Sequence, residues 1–305
     1  MLLYLGRRLL QLVPTLLGVT LVVFLLVRVS GDPTQLLLPE TATPEDRALF
    51  RRQHGLDQPL AVQYLRYVGD AARGDLGRSL VDGSPAIALV LERLPATIEL
   101  TVAGMLIAVG VGIPVGVLSA IRRGSLLDRL AMIGVLTGQS MATFWVGILL
   151  ILIFAVQLRW LPVSGRESWR HLVLPAVTLS LYMLPLLARM TRSSLLDVWR
   201  QDYVRTARAK GLRERTVIAK HMLRAALIPI VTVLGLQFGG ALAGAIVTES
   251  VFAWPGVGTF VLDAVYKRDY PVVQAAVLVV ATVYIVTNLL VDLLYGVLDP
   301  RIREP

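Results

Sequence analysis

Six apolar stretches, roughly at 9–29, 97–120, 130–157, 172–191, 227–249 and 272–296, constrain this 305-residue chain more than any other feature. A helix of about 20 apolar residues crosses the roughly 30 Å hydrocarbon core of a bilayer. With 55% hydrophobic residues, the chain carries more apolar surface than a soluble core of this size needs, and carries it in blocks. The pattern predicts an all-α fold, a polytopic membrane helix bundle of six transmembrane helices. The first stretch follows Arg7-Arg8 but is too long for a secretion signal and has no small-residue cleavage site after it. It reads as an uncleaved first helix.

Lysine and arginine in short loops set orientation. With six spans, Arg7 and Arg8, Arg122, Arg123 and Arg129, the basic loop from Arg200 to Arg224, and Arg301 with Arg303 all fall on one side. Both termini are then cytoplasmic. The short loop 159–171 runs against the rule, since it places Arg159, Arg166 and Arg170 outside. The net charge of +9 belongs to this topology rather than to nucleic acid, because the basic residues flank apolar spans and are not interleaved with aromatics on a solvated face.

Residues 30–95 carry seven Arg against nine Asp and Glu, with clear helix signals. Thr43-Pro44-Glu45-Asp46 supplies an N-cap, a first-turn proline and acids. Leu60, Tyr64, Tyr67 and Ala71 recur at helical spacing, and Ser84-Pro85 starts a further short amphipathic helix ending near Leu94-Pro95. The expected organisation is a first helix over 1–29, an extracytoplasmic helical insertion over 30–95, and a five-helix membrane domain over 96–305 with a cytoplasmic loop at 200–226.

Inside the spans, Gly112/Gly116 and Gly240/Gly244 with Ala241/Ala245 repeat at the spacing that lets helix backbones approach in lipid. Pro114, Pro175 and Pro185 are expected bend points. Polar side chains at depth are Gln139, Gln237, Glu249, Asn288 and Asp292, with Glu99 near the outer end of the second span. Each fits an interhelical hydrogen bond or a place on a polar translocation path, and Gln139 and Gln237 lie well within their spans.

The chain shows no chemistry of its own. There is no phosphate-binding Gly-x-x-x-x-Gly-Lys-Ser/Thr run and no cysteine, so no cofactor is expected on this chain and no thiolate metal site is available. His54, His171 and His221 stand in separate loops on both sides of the membrane, which disfavours an intramembrane enzyme. No cluster of buried carboxylates points to an ion-coupled carrier.

The basic loop is the remaining signal. Asp202-Tyr203-Val204-Arg205-Thr206-Ala207-Arg208-Ala209-Lys210-Gly211-Leu212 forms a short helix in which Thr206, Ala207 and Ala209 give a small face and Arg205, Arg208 and Lys210 project charge. Gly211 then permits a sharp change of direction. From these residues alone, a docking element for another protein and a basic helix on anionic lipid fit equally well.

This segment resembles the cytoplasmic coupling loop of ABC-importer permeases of the dipeptide, oligopeptide and nickel group. The likeness continues through Gly31-Asp32-Pro33, Gly55-Leu56-Asp57-Gln58-Pro59, Gly74-Asp75-Leu76-Gly77, Thr191-Arg192-Ser193-Ser194, Trp254-Pro255-Gly256-Val257-Gly258, and Asn288 with Asp292 leading to Leu298-Asp299-Pro300-Arg301. The long segment after the first helix is similar to that of the B-type permease. One departure stands out. Where the general importer loop begins Glu-Ala-Ala, this chain has Arg205-Thr206-Ala207; Gly211 and Leu223 are kept, His221 takes the isoleucine position and Arg224 the proline position. The resemblance implies a pore shared with a C-type permease subunit, two ATP-binding cassette ATPase subunits that hold ATP and Mg, and an extracytoplasmic solute-binding protein. It also implies di- or oligopeptides as cargo, with glutathione or nickel chelates as alternatives.

Overall fold

The computed structural model describes residues 2–29, 34, 38 and 41–298, with side chains described within 14–291 except at 228 and 243. The motifs at Gly31-Asp32-Pro33 and Asp299-Pro300-Arg301 and the side chains of Arg7, Arg8 and Asp292 therefore lie outside the described residues.

The described elements are helical: α1 (Leu2–Val29), α2 (Pro44–Gln53), α3 (Leu60–Ala71), α4 (Ala86–Ile121), α5 (Leu126–Ser140), α6 (Thr143–Leu150, continuing π-helically over Ile151–Gln157), α7 (Trp169–Trp199) and α8 (Asp202–Ala209). A turn at Glu214–Thr216 and a π-helical segment over Val217–Met222 lead into α9 (Leu223–Val251), followed by α10 (Val257–Tyr266) and α11 (Tyr270–Leu298). These helices fall on all six predicted apolar stretches. Residues Ala86–Ile121, Trp169–Trp199 and Tyr270–Val291 are each long and apolar enough to cross a membrane unbroken.

Three expectations change. The third stretch is not one helix: α5 and the Thr143–Gln157 helix meet at 102°. Met141 and Ala142 between them are extended, with ψ of 136° and 129°. Ahead of the break, the hydroxyls of Thr137 and Ser140 donate to the carbonyls of Ile133 and Leu136, the back-bonding that bends helices. Helix α4 runs through both Pro95 and Pro114, so the short helix expected from Ser84 is its first turns. Helix α7 likewise continues through Pro175 and Pro185. The 102° break therefore comes where two backbone units turn extended, and no proline is there, whereas a second bend, of 53°, falls at Pro229 between Glu214–Leu227 and Pro229–Leu242.

The chain forms two compact units, Met1–Thr97 with Pro255–Val286, and Ile98–Trp254 with Thr287–Pro305. In the first, Thr43 caps α2 with a reciprocal capping box to Asp46, as the Thr-Pro-Glu-Asp run predicts. The hydrogen bonds from Thr43 hold the Asp46 carboxyl below its ordinary value. Helix α3 lies on α1: the Tyr64 ring meets Phe24 edge-on at 5.4 Å, Tyr67 stacks on Phe24 at 6.4 Å, and the Tyr64 hydroxyl donates to the Leu17 carbonyl at 3.0 Å. The Gly74-Asp75-Leu76-Gly77 run is a turn with φ of +85° and +81° at its two glycines, which buries Leu76. Its continuation is held by buried Asp269, which accepts from the Ser79 hydroxyl and from the Leu80 amide. Thr97 accepts from the Val257 amide at 2.8 Å, which satisfies a donor at the start of α10.

In the second unit, α4 packs on α7 through glycines. A Cβ built on Gly104, Gly112 or Gly116 would lie 3.3, 3.3 or 2.5 Å from an α7 carbonyl oxygen. The predicted close approach at Gly112/Gly116 is thus seen. In α9 the pattern divides: Ala241 and Ala245 are fully buried, Gly240 faces the Tyr182 hydroxyl, and Gly244 has open space. Ala241, Ala245 and Gly240 carry that packing, and Gly244 does not.

Candidate coupling surface and polar path

The basic loop folds as two short helical pieces around a glycine turn. Acidic Asp202 in the first turn and Arg208 in the last complement the dipole of α8. Gly211 has φ of +73°, the left-handed conformation its position in the sequence suggests.

Helix α8 has two faces. Val204 and Ala207 are buried, at 0% and 6% exposure, against Leu187, Leu195, Val217, Met222, Ala226 and Ile230. Asp202, Tyr203, Arg205, Thr206, Ala209, Lys210, Gly211 and Leu212 are exposed. The small face expected at Thr206, Ala207 and Ala209 is therefore split: Ala207 fits the chain's own core, while Thr206 and Ala209 face outward. Arg208 also differs from expectation. Its Nε and Nη2 donate to the two Glu214 oxygens at 3.1 and 2.7 Å, and its guanidinium covers the Trp199 ring at 4.6 Å. The charge at 208 is spent inside the loop, fixing α8 to the end of α7 and to the turn after Gly211. Leu223, the residue kept from the general loop, is half-buried at the start of α9.

A second cluster joins α4, α5 and α7, and its Arg192 stands ten residues before α8. Asp128 is 4% exposed and accepts from the Ser119 hydroxyl, the Gly124 amide at 2.9 Å, and Arg192. Arg192 Nε donates to Oδ1 and Nη2 to Oδ2, each at 2.9 Å. Ser125 caps α5 by accepting from the Asp128 amide. Arg192 belongs to a motif singled out in the sequence, but its partner was not. The available signal was an acid in the first turn of a capped helix beside the Arg122-Arg123 pair.

The path candidates separate by burial. Glu249 has no exposed surface, Gln237 and Asn288 are half-buried, and Gln139 is exposed in the last turn of α5 before the 102° break. Asp292 lies on α11 with its side chain outside the described residues. Glu99 accepts twice on Oε2 from Arg166, at 2.9 and 2.6 Å, and the Arg166 guanidinium sits 5.8 Å from the Trp254 ring. Arg166, one of the arginines that run against the loop-charge rule, is thus paired with an acid of α4.

Long apolar helices with a basic, largely exposed helix between two of them define a polytopic membrane protein with an exposed helical loop. Residues 112–304 match the family described as binding-protein-dependent transport system inner membrane component, and residues 1–101 match the N-terminal component of the same systems. The chain belongs to this family, the permeases of ABC transporters, and is a multi-pass inner-membrane protein. It is 46% identical over 334 residues to the di/tripeptide transport system permease protein DppB of Pseudomonas aeruginosa, covering 100% of this chain and 99% of that one. It is 45% identical over 337 residues to the dipeptide permease DppB of Escherichia coli K12, with 100% and 99% covered. To the glutathione transport system permease protein GsiC of Salmonella paratyphi A it is 47% identical over 304 residues, with 99% of each covered. Among solved structures, a chain of the inward-facing MetNI methionine ABC transporter superposes with a TM-score of 0.60 at 20% identity, over 70% of this chain and 98% of that one. That likeness is one of fold.

Proposed function

We propose that this chain is the B-type permease of an importer for di- or oligopeptides, with both termini cytoplasmic. The full-length likeness to di- and tripeptide permeases carries this reading. A C-type permease completes the pore, two ATPase subunits bind and hydrolyse ATP with Mg, and an extracytoplasmic solute-binding protein delivers the cargo over the 30–95 segment.

The coupling surface is the exposed side of α8, chiefly Tyr203, Thr206, Ala209 and Lys210. The structure supports a rigid transmission: Val204 and Ala207 seat the helix in the core, and Arg208 ties it to Glu214 and Trp199. Movement of the ATPases then displaces α8 together with the ends of α7 and α9. Nucleotide can shift the bundle only through contacts that differ between its two states, and this surface is where those contacts form. Gln237 and Asn288, half-buried, are the proposed path-lining groups, whereas fully enclosed Glu249 serves helix packing.

Reconstitution tests the reading. The full transporter in proteoliposomes should accumulate labelled L-alanyl-L-alanine only with ATP and binding protein present. Uptake driven by an ion gradient without ATPase subunits would reject it. The GsiC likeness favours glutathione as a second cargo, in which case excess glutathione abolishes dipeptide uptake or replaces it.

A further inference from the structure

Among the described residues, three buried side-chain polar atoms have no hydrogen-bond partner, and two of them, Arg28 Nη1 and Gln58 Oε1, belong to residues lining one cavity. The cavity measures about 480 Å³ and lies within the unit formed by Met1–Thr97 and Pro255–Val286. Small-molecule sites span roughly 300–1,000 Å³, so a solute of a few residues fits. Buried polar groups are almost always paired, and an orphan donor and an orphan acceptor on residues of one cavity lining call for an explanation.

Arg28 is held in place on every other side. Its Nε donates to Gln63 Oε1 at 3.0 Å, Nη2 donates to the same oxygen, and the guanidinium lies over the Phe24 and Tyr270 rings at 4.1 and 5.3 Å. Gln63 is fixed in turn, its Nε2 donating to the Gln58 carbonyl at 2.6 Å. One nitrogen of a clamped cation is thus left over as a charged donor for a carboxylate. In the same lining Gln58 Oε1 can only accept, and the charged residues there are of both signs, Arg66 and Arg78 with Asp75 and Asp70, the last paired with Arg73. Burial pushes the Tyr67 hydroxyl up to about 12, so this lining group stays a protonated hydroxyl.

We propose that this cavity binds a small zwitterionic peptide, its carboxylate on Arg28 Nη1 and its amino or amide N–H on Gln58 Oε1. Both atoms lie under the cavity wall, so engagement requires the half-buried Gln58 side chain to turn. The site is a way-station for the cargo, and it rests on the peptide-importer reading for its ligand class.

The test uses the full-length chain in lipid nanodiscs, titrated calorimetrically with L-alanyl-L-alanine, its C-terminal amide and its N-acetyl form. Saturable binding is expected for the free peptide, weakened about tenfold by either blocking group and by Arg28→Lys or Gln58→Leu. Gln58 stands in a loop, so Q58L keeps the test open even where an Arg28 variant fails to fold. Absence of saturable binding, or binding that both blocked peptides and Q58L leave unchanged, overturns the proposal and assigns the two atoms to water. If the complete transporter imports the dipeptide while this chain shows no such binding, the site fails and the importer reading stands. If the chain binds it and the complete transporter does not import it, the importer reading fails.

Discussion

Arg192 and Asp128 face each other as a two-pronged ion pair, Nε on Oδ1 and Nη2 on Oδ2, both at 2.9 Å, joining α7 to the capped start of α5. Ser119 of α4 and the Gly124 amide fill the remaining lone pairs of the carboxylate, so three helix ends meet on one side chain. Ten residues after Arg192, α8 begins.

Removing one partner leaves the other charge buried without compensation. Asp128→Ala should destabilise the detergent-solubilised protein by about 3 kcal/mol, the lower end of the range for broken buried pairs because Arg192 keeps some contact with solvent. Arg192→Lys keeps the charge but loses the fork, and should cost less. Thermal unfolding followed by circular dichroism compares the two; equal melting points for wild type and D128A would reject the role.

Gly116 is the tightest point between α4 and α7. A methyl there would stand 2.5 Å from the Ala188 carbonyl and 2.6 Å from Thr191 Cβ, so Gly116→Ala should cost about 1–3 kcal/mol through overpacking. Gly110→Ala meets nothing within 4 Å and should be neutral or slightly stabilising. The difference in melting temperature between these two variants is the readout.

Ala207 is an inward residue. Ala207→Leu forces bulk into the cluster with Leu187 and Met222 and should lift α8 from its seat, read as faster proteolytic cleavage between 202 and 224. Gly211→Ala meets no atom, and its cost of about 1 kcal/mol is the left-handed backbone alone. Cleavage of G211A should rise less than that of A207L.

The loop also has an acid limit. Hydrogen bonding to Arg208 holds the Glu214 carboxyl below its ordinary value. A depressed folded value means that this contact contributes fully above the unfolded glutamate value of about 4.3, and is lost as pH falls through the folded value. Because Glu214 is half-exposed, the contribution is below about 1 kcal/mol. Loop proteolysis should be flat from neutral pH down to the glutamate range and rise below it, and Glu214→Gln should show the raised rate already at neutral pH.

Much of this was legible from the chain. Apolar run length placed the membrane helices, and Thr43-Pro44 with Asp46 marked a helix start, because these signals act within a few residues. What escaped depends on distance. Asp128 meets Arg192 across 64 positions, and Ala207 differs from Ala209 only in which side of a two-turn helix finds the core. The break at Met141-Ala142 has no such local signal either, since two ordinary residues turn extended where no proline stands.

The claim that force enters through the exposed side of α8 is tested most directly by ATP-driven uptake. Thr206 faces outward with no part in the core, so Thr206→Trp should leave folding and pairing intact while blocking contact with the ATPases. In proteoliposomes holding the complete transporter, uptake of labelled L-alanyl-L-alanine should fall at least about tenfold for T206W, with the complex still assembled and still hydrolysing ATP at its basal rate. Uptake equal to wild type in an assembled T206W complex would contradict the account.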